Sequence, residues 1–417
     1  MNQPSQDRTK GLETQLWQGT PSERIAALSQ LCALLGLRHQ RGTNCHIHTS
    51  ESFSVFRSPS EAVWQAAREG IAVLGINDHY TVAGHEEFRR ACEIAGIAAG
   101  FSIEAVAVDR EAADAGLKLN DPDNPGRIYL CGKGITRYPD SSTPEMQNLA
   151  RMRAALERRN RQITVKVEQL FRDRLGVDGP TWENVVALTP RGNATERHVA
   201  FAVLLTLREL AREQGKPLAE LVTALCGVAP PHAGDDAALQ IFLRAKLMKA
   251  GAPCFVPEDP DAFVSVAELR KIFLAFGSIP TYPILGNPVL AGEQNIEALL
   301  DRLESMGFYA VEVIPTRNTR ERLGEIVSAA RRRSWPVFNG TEHNTPESRP
   351  LLDPFALDPE FEPWFFQSTA LLLGHQRCVA RGQKGFVDSE GTPTISGAKE
   401  RFEYFSKAGQ QYDGSVH

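Results

Sequence analysis

Asn44-Cys45-His46-Ile47-His48-Thr49 is the stretch whose reading decides the fold. Two histidines at alternate positions of a short strand point to the same face, because successive strand side chains alternate. A strand end that delivers two imidazoles together can hold one divalent metal. The competing reading makes His46 and His48 ordinary polar residues on an exposed strand face, since the H-x-H spacing is common. What flanks the pair decides between them.

On the N-terminal side, Ile25, Leu28, Leu31 and Leu35 recur at helical spacing within a predicted helix from Ser22 to Leu37. On the C-terminal side, a polar loop from Ser50 to Ser58 leads to Pro59, which opens a helix closed by Gly70. An apolar strand, Ile71 to Ile76, then ends in Asn77-Asp78-His79; a helix over Glu86–Ala95 leads to a strand ending at Ile103-Glu104. Strand and helix alternating at this pitch predict parallel β/α units. His48, His79 and Glu104 each fall at or just past an apolar strand end, the end that faces the active site in β/α barrels. Solvation alone does not explain a ligand-type set gathered from several strand ends.

Composition sets the frame. The chain has 417 residues, 42% hydrophobic and 23% charged, and can bury a sizeable core. A net charge of -5 gives no global reason to expect nucleic acid as a partner. The opening residues contain no apolar segment of the secretory type, and charges interrupt every long helical segment, which argues against a membrane span. Seven scattered cysteines without a C-x-x-C pair read as reduced thiols, so a cytoplasmic location is expected.

Further along, Asp109–Arg127 reads as an irregular loop, Ile128–Gly132 as a strand, and Thr143-Pro144-Glu145 as a capped start of a helix running to about Leu175. The basic run from Arg151 to Arg174 on that helix is either a solvated face or a phosphate- or nucleic-acid-facing surface. The β/α pattern resumes at Ser278–Tyr282, with strands Tyr309–Ile314 and Pro336–Asn339 and helices Asn295–Met306 and Arg320–Arg333. The expected organisation is an N-terminal helical segment (1–40), a first barrel half (41–140), a helical insertion (141–275), a second barrel half (276–350) and an appendage (351–417) with a loose polar tail from Gly382.

In these motifs the chain resembles the PHP (polymerase and histidinol phosphatase) superfamily of metal-dependent phosphoesterases. The likeness rests on His46-x-His48-Thr49, on Gly75-Ile76-Asn77-Asp78-His79-Tyr80-Thr81, and on their order and spacing over roughly residues 43–345. It implies an α/β fold, a distorted (β/α)7-type barrel with a helical insertion. It also implies a divalent metal (Mn, Zn or Fe, one or two ions) held by His46, His48, Glu104 and Glu342, with His79 in a second metal site and His343 completing or extending the set. Such nitrogen and oxygen donors suit those metals, which polarise a phosphoryl oxygen and acidify bound water. From an Arg-Pro-His motif of the family, His198 aligns in Thr195-Glu196-Arg197-His198, and Arg197 or Arg191 supplies the charge for substrate phosphate. Catalytic roles then fall to His79, His198 and Arg197. His198 has a second reading, as a cap or packing residue of its helix, and His85 reads as a neighbour of the site or a surface residue.

The resemblance departs at Tyr129, Tyr282 and Asn344, which stand where the family has histidines. A neutral phenol is a poor ligand and an amide carbonyl a weak one. One metal is therefore the better supported count. The leading expectation is a phosphoesterase acting on a small phosphorylated metabolite or nucleotide. A hydrolase or lyase on a non-phosphate substrate such as a sugar acid, and a catalytically silent binding protein, are the alternatives.

Overall fold

The computed structural model describes residues 3–36, 41–232, 234–286 and 288–410. Leu37, the expected end of the first long helix, therefore lies outside the described residues, as does the tail from 411. The chain begins with α1 (Gln3–Gln15) and α2 (Pro21–Leu35), then enters β1 (Thr43–Ile47), which carries His46 and places His48 just past its end. Ser58 caps α3 (Pro59–Glu69) by accepting from the Glu61 N–H, and left-handed Gly70 ends it, as its sequence implies. β2 (Val73–His79), α4 (His85–Ala95) and β3 (Ala98–Val108) follow. The parallel pairing of β1 with β2 and of β2 with β3 sets His79 directly beside Glu104.

Beyond this point the sheet departs from the parallel pattern. β3 runs on to Val108, so Glu104 sits in mid-strand rather than at its end. The segment read as a loop contains a short helix, α5 (Arg110–Asp114), and turns the chain back. β4 (Arg127–Lys133) consequently runs antiparallel to β3. Apolar composition specified that Ile128–Gly132 forms a strand, but direction depends on the length and turn of the connection, which composition does not encode.

A Thr143 cap and Pro144 at the first helical position open α6 (Pro144–Leu175), a 32-residue helix. Much of its basic face is ion-paired at the surface, with Arg151 to Asp261, Arg158 to Asp259 and Arg161 to Glu157, so the solvated reading holds for these positions. Arg159 instead turns inward to Glu196. The far half of α6 packs with α7 (Trp182–Ala187), α8 (Glu196–Gln214), α9 (Leu218–Cys226) and α10 (Asp236–Met248) around a core of their own, which includes Phe171, Val203, Leu207 and Leu243. The two-residue strand β5 (Val264–Ser265) pairs with β3, and α11 (Val266–Ala275) packs on β3 and β4, so the chain is back on the sheet before residue 275.

β6 (Ile279–Ile284) pairs antiparallel with β4; α12 (Ile296–Ser305), β7 (Val311–Val313), α13 (Arg320–Arg333) and β8 (Val337–Asn339) then restore parallel order. The eight-stranded sheet runs β1-β2-β3-β4-β6-β7-β8, with β5 off the path. Its two ends meet. Asn339 exchanges side-chain bonds with Thr43, Ile47 bridges to Glu342, and the His48 N–H donates to the Glu342 carbonyl at 2.7 Å. The result is a nearly closed, distorted α/β barrel with helices outside. α14 (Glu362–Ala380) lies against β8, and the polar tail forms α15 (Ala398–Gln410), whose Phe402 and Phe405 pack under α14. That tail was expected to be loose; its aromatic residues at helical spacing bury it instead. No helix among the described residues is long and apolar enough to cross a membrane.

Strands meet closely inside the barrel. A Cβ placed on Gly75 of β2 would lie 2.6 Å from the Cys45 carbonyl oxygen and 2.8 Å from its Cα, both backbone atoms that cannot yield cheaply. Gly75→Ala is accordingly expected to lower unfolding stability by about 1–3 kcal/mol, the usual cost of overpacking, measured by urea denaturation; an unchanged midpoint would show that β1 and β2 can separate freely.

Candidate metal centre

His46 and His48 project from the end of β1 into the barrel, where both are fully buried. His46 presents Nδ1 to the Glu312 carboxylate on β7. A carboxylate only accepts, so Nδ1 carries the proton and the Nε2 lone pair faces the other way. For His48 the same logic runs through Ser52. The Ser52 hydroxyl donates to Asp78 Oδ1 at 2.6 Å, so it accepts from His48 Nδ1 at 3.2 Å. Asp78 itself is fixed by the Thr49 N–H and hydroxyl at 2.7 and 2.6 Å.

Both Nε2 lone pairs therefore converge. The two Nε2 atoms lie 3.0 Å apart, and Glu104 Oε2 is 3.2 Å from one and 3.3 Å from the other. Neighbouring ligands of a tetrahedral ion with bonds of about 2.0–2.1 Å stand roughly 3.3 Å apart, so these three atoms match one face of such a shell. The only donor reaching in is Asn77 Nδ2, 3.0 Å from His46 Nε2 and 3.3 Å from Glu104 Oε2, among the described residues. Apart from protons on the rings themselves, one neutral amide is all the positive charge that surrounding groups bring to these three atoms.

The electrostatics agree. Burial pushes the Glu104 carboxyl up, but His79, His46 and His48 around it hold it well below the usual range. Burial also opposes charge on His46, yet Glu312 with Glu104 outweighs it and raises the imidazole to about 9, so without an ion a proton on Nε2 supplies the positive charge that a metal would displace. Burial, with His79 and His46 close by, drives His48 down to about 3, keeping its lone pair available. The cluster calls for a cation. His79 Nδ1 is buried without a partner, 3.8 Å from Glu104 Oε2, and its ring lies against His48. The donor set fits a divalent metal ion.

The other sequence-derived residues divide. Glu342 reaches the rim of the cluster, where burial raises its carboxyl and Arg317 more than compensates, holding it below the usual range; Arg317 Nη2 lies 2.5 Å from its Oε2. Glu342 and His343 both have left-handed backbone, φ 63° and 58°, unusual for residues with a Cβ and typical of a strained functional turn. That turn carries His343 away. Its Nδ1 meets Thr341 Oγ1 at 2.9 Å and its Nε2 the Arg349 carbonyl at 3.0 Å, so neither nitrogen is free for a metal. His198 likewise is occupied: Nδ1 accepts from the Thr195 N–H at 3.0 Å as the cap of α8, and the Ser50 backbone takes up a further bond. Arg191 is spent on Glu51 and Glu87. Arg197 does face the site. It lines the cavity above Glu104, and no hydrogen bond or ion pair to it is found among the described residues.

That cavity, of ≈ 480 Å³, is bounded by His79, Glu104, Tyr129, Glu342 and Asn344, with Arg197, Arg244, Arg317 and Arg349 around its wall. Tyr129 and Asn344 thus line the mouth. Tyr282 does not; its hydroxyl lies 3.0 Å from Glu293 Oε1, in the core below. Glu312 and Lys133 are absent from the sequence-derived set. Lys133 is fully buried with Nζ 2.6 Å from Glu312 Oε2 and 2.9 Å from the Cys45 carbonyl oxygen. Their signal was available: a lone acid in the apolar run Tyr309–Ile314, and a lysine at the end of an apolar strand, both demanding buried partners.

No protein-family model matches the chain, and no curated protein matches it. Solved structures with a similar chain course include a protein from Bifidobacterium adolescentis provisionally named a metal-dependent phosphoesterase, at 20% identity and TM-score 0.49, covering 77% of this chain and 96% of its own. Another is an amidohydrolase from Chromobacterium violaceum with bound sulfate and no metal, at 16% identity and TM-score 0.49, covering 78% of this chain and 95% of its own. These figures describe backbone course and assign no residue a role.

Two predictions test the site and its support. Glu312→Gln should weaken binding of Mn or Zn by about 10–100-fold, the usual effect of losing a ligand's orienting partner, read by chelator competition; unaltered affinity would remove Glu312 from the centre. Burial raises the Glu293 carboxyl to about 7. Its folded pKa exceeds its unfolded one, so its contribution is full below the unfolded pKa of about 4.3 and is lost as pH rises through 7. Glu293→Gln should flatten that decline in unfolding midpoints between pH 5 and 8.

Proposed function

We propose that the protein is a metal-dependent hydrolase of the PHP kind that cleaves a phosphoryl ester of a small metabolite or nucleotide. The observation that carries the reading is the buried triangle of His46 Nε2, His48 Nε2 and Glu104 Oε2, three acceptors within 3.3 Å of one another at the foot of an arginine-walled cavity. His46, His48 and Glu104 hold the ion, and Glu342 joins from the rim. A bound divalent ion supplies Lewis acidity toward a phosphoryl oxygen and lowers the pKa of water.

The chain's own groups do the rest. Arg197, Arg244, Arg317 and Arg349 line the wall, and Arg197 has no acid paired to it among the described residues, which favours an anionic substrate. Arg197, crowded by burial and by Arg244 to a pKa of about 10, offers a planar fork for phosphoryl oxygens. His79 lines the cavity beside Glu104, so its ring is placed to move a proton at the leaving oxygen. His198 and Arg191 are left out of the mechanism because other groups hold them.

The test starts with elemental analysis of protein purified without added metal. A stoichiometric transition metal is expected, and His46→Ala should lose it. Phosphate release from a phosphomonoester panel should then fall by about a hundredfold or more, the effect of losing several kcal/mol of charge stabilisation. Protein that binds no metal and is indifferent to His46→Ala would sink the reading. A metal-loaded protein silent on every phosphoester but active on sugar acids or carbonyl compounds would move the activity to a non-phosphate substrate.

A further inference from the structure

Behind His79 and Tyr129 the cavity continues into a second one of ≈ 400 Å³, along the seam between the barrel and the helical insertion. Thr195, Glu196 and Arg244 line both, so the two are contiguous. At the insertion end of the second cavity, three cations share one carboxylate. Arg159 places nitrogens 3.0 Å from Glu196 Oε2, while Arg244 Nε and Lys249 Nζ lie 2.7 and 3.1 Å from Oε1. The carboxylate neutralises one of the three. Among the described residues, Arg244 makes its hydrogen bond and ion pair through Nε alone, leaving its terminal nitrogens toward the cavities.

The four acids on this wall, Asp121, Asp123, Glu196 and Glu258, match its four cations, Arg127, Arg159, Arg244 and Lys249, in number, so the cation excess is local to Glu196. Glu258 is paired with Arg127, and Asp121 accepts from the backbone N–H groups of Asp123 and Asn124 at 2.8 and 3.1 Å. The crowding registers on Glu196 and Lys249. Burial raises Glu196, but Arg244, Lys249 and Arg159 together drive it down to about 2, and burial with Arg244 lowers Lys249. Holding α6, α8 and α10 together needs some cation on Glu196, but not three with donors to spare. A further polar atom is also uncommitted. Asn160 is only 3% exposed, lines this cavity and donates through Nδ2 to the Ala194 carbonyl at 2.9 Å, while its Oδ1 is enclosed in the protein without a partner. A buried acceptor without a donor costs stability unless a ligand or water supplies one.

We propose that this second cavity receives the leaving-group half of the substrate and selects for a second anionic group on it. The substrate class is then a phosphoryl ester whose far end carries a phosphate or carboxylate met by Arg244 and Lys249. The inference rests on the reading of the His46–His48–Glu104 cluster as the phosphoryl-cleaving centre.

Two matched pairs of probes test it on the full chain loaded with Mn, by calorimetry: glycerol 3-phosphate against 3-phosphoglycerate, and fructose 6-phosphate against fructose 1,6-bisphosphate. The doubly anionic member of at least one pair should bind about tenfold tighter, the gain from one charge-assisted contact. Which pair responds tells carboxylate from phosphate. Lys249→Ala, at a half-exposed position that leaves Arg159 and Arg244 on Glu196, should erase most of that preference without weakening the singly anionic member. Arg244→Lys, which keeps the charge on Glu196 but removes the fork, should reduce it as well. Equal binding within both pairs, or a Lys249→Ala loss shared by both members, overturns the inference while the metal cleft stands. If no probe binds, the cleft reading fails and takes the inference with it.

Discussion

Three hydrogen-bond acceptors pressed together inside a barrel are the constraint on which the rest of this molecule turns. Lone pairs on two imidazoles and a carboxylate oxygen repel one another in a low-dielectric interior, and the sequence does nothing to separate them. It does the opposite. Glu312 and the Ser52–Asp78 pair grip the far side of each ring, forcing the lone pairs inward. Glu312 in turn needs a counter-charge, which Lys133 provides from β4 with no exposure to solvent. Each buried charge is thus secured by the next, out from the cluster to the barrel wall, and removing one partner would strand another.

The reversed β4 is part of that chain. Lys133 lies at the C-terminal end of its strand, and the antiparallel run of β4 carries that end toward the opposite side of the barrel from the mouth, beneath the cluster and within reach of Glu312. The same reversal leaves Tyr129 toward the mouth, where it lines both cavities. Above, the insertion contributes a second, independent core and the cations that face the barrel. The cleft is therefore a seam between two bodies of hydrophobic packing, joined by the single long helix α6.

Most elements were legible because their signals are local. Pro59 and Gly70, Thr143 and Pro144, and the 3.6-residue pattern from Arg320 to Arg333 fix helices through backbone chemistry that needs no partner. The histidine pair, His79 and Glu104 were legible by position relative to apolar strands. Strand direction was not, because the turn through α5 is set by tertiary contacts. Nor were the fates of His198 and His343. Each sits near a metal-type motif, yet each ring is claimed by a backbone group a few residues away in the fold, Ser50 for one and Arg349 for the other. Glu312 went unnoticed because attention to strand ends passes over a charge in mid-strand, where burial makes it most informative.

The left-handed turn at Glu342 has a consequence of its own. The backbone carbonyl of this residue takes the His48 N–H and its own N–H goes to the His46 carbonyl, so the last strand is stitched to the first at the histidine pair. Its side chain meanwhile looks into the cleft. One residue thus serves as both the clasp of the barrel and a wall of the site. Anything that binds better when Glu342 is in place must, by thermodynamic linkage, also tighten the clasp. Ligand occupancy and the integrity of the barrel seam are in that sense a single equilibrium, and local opening between β1 and β8 is where an empty site would first show itself.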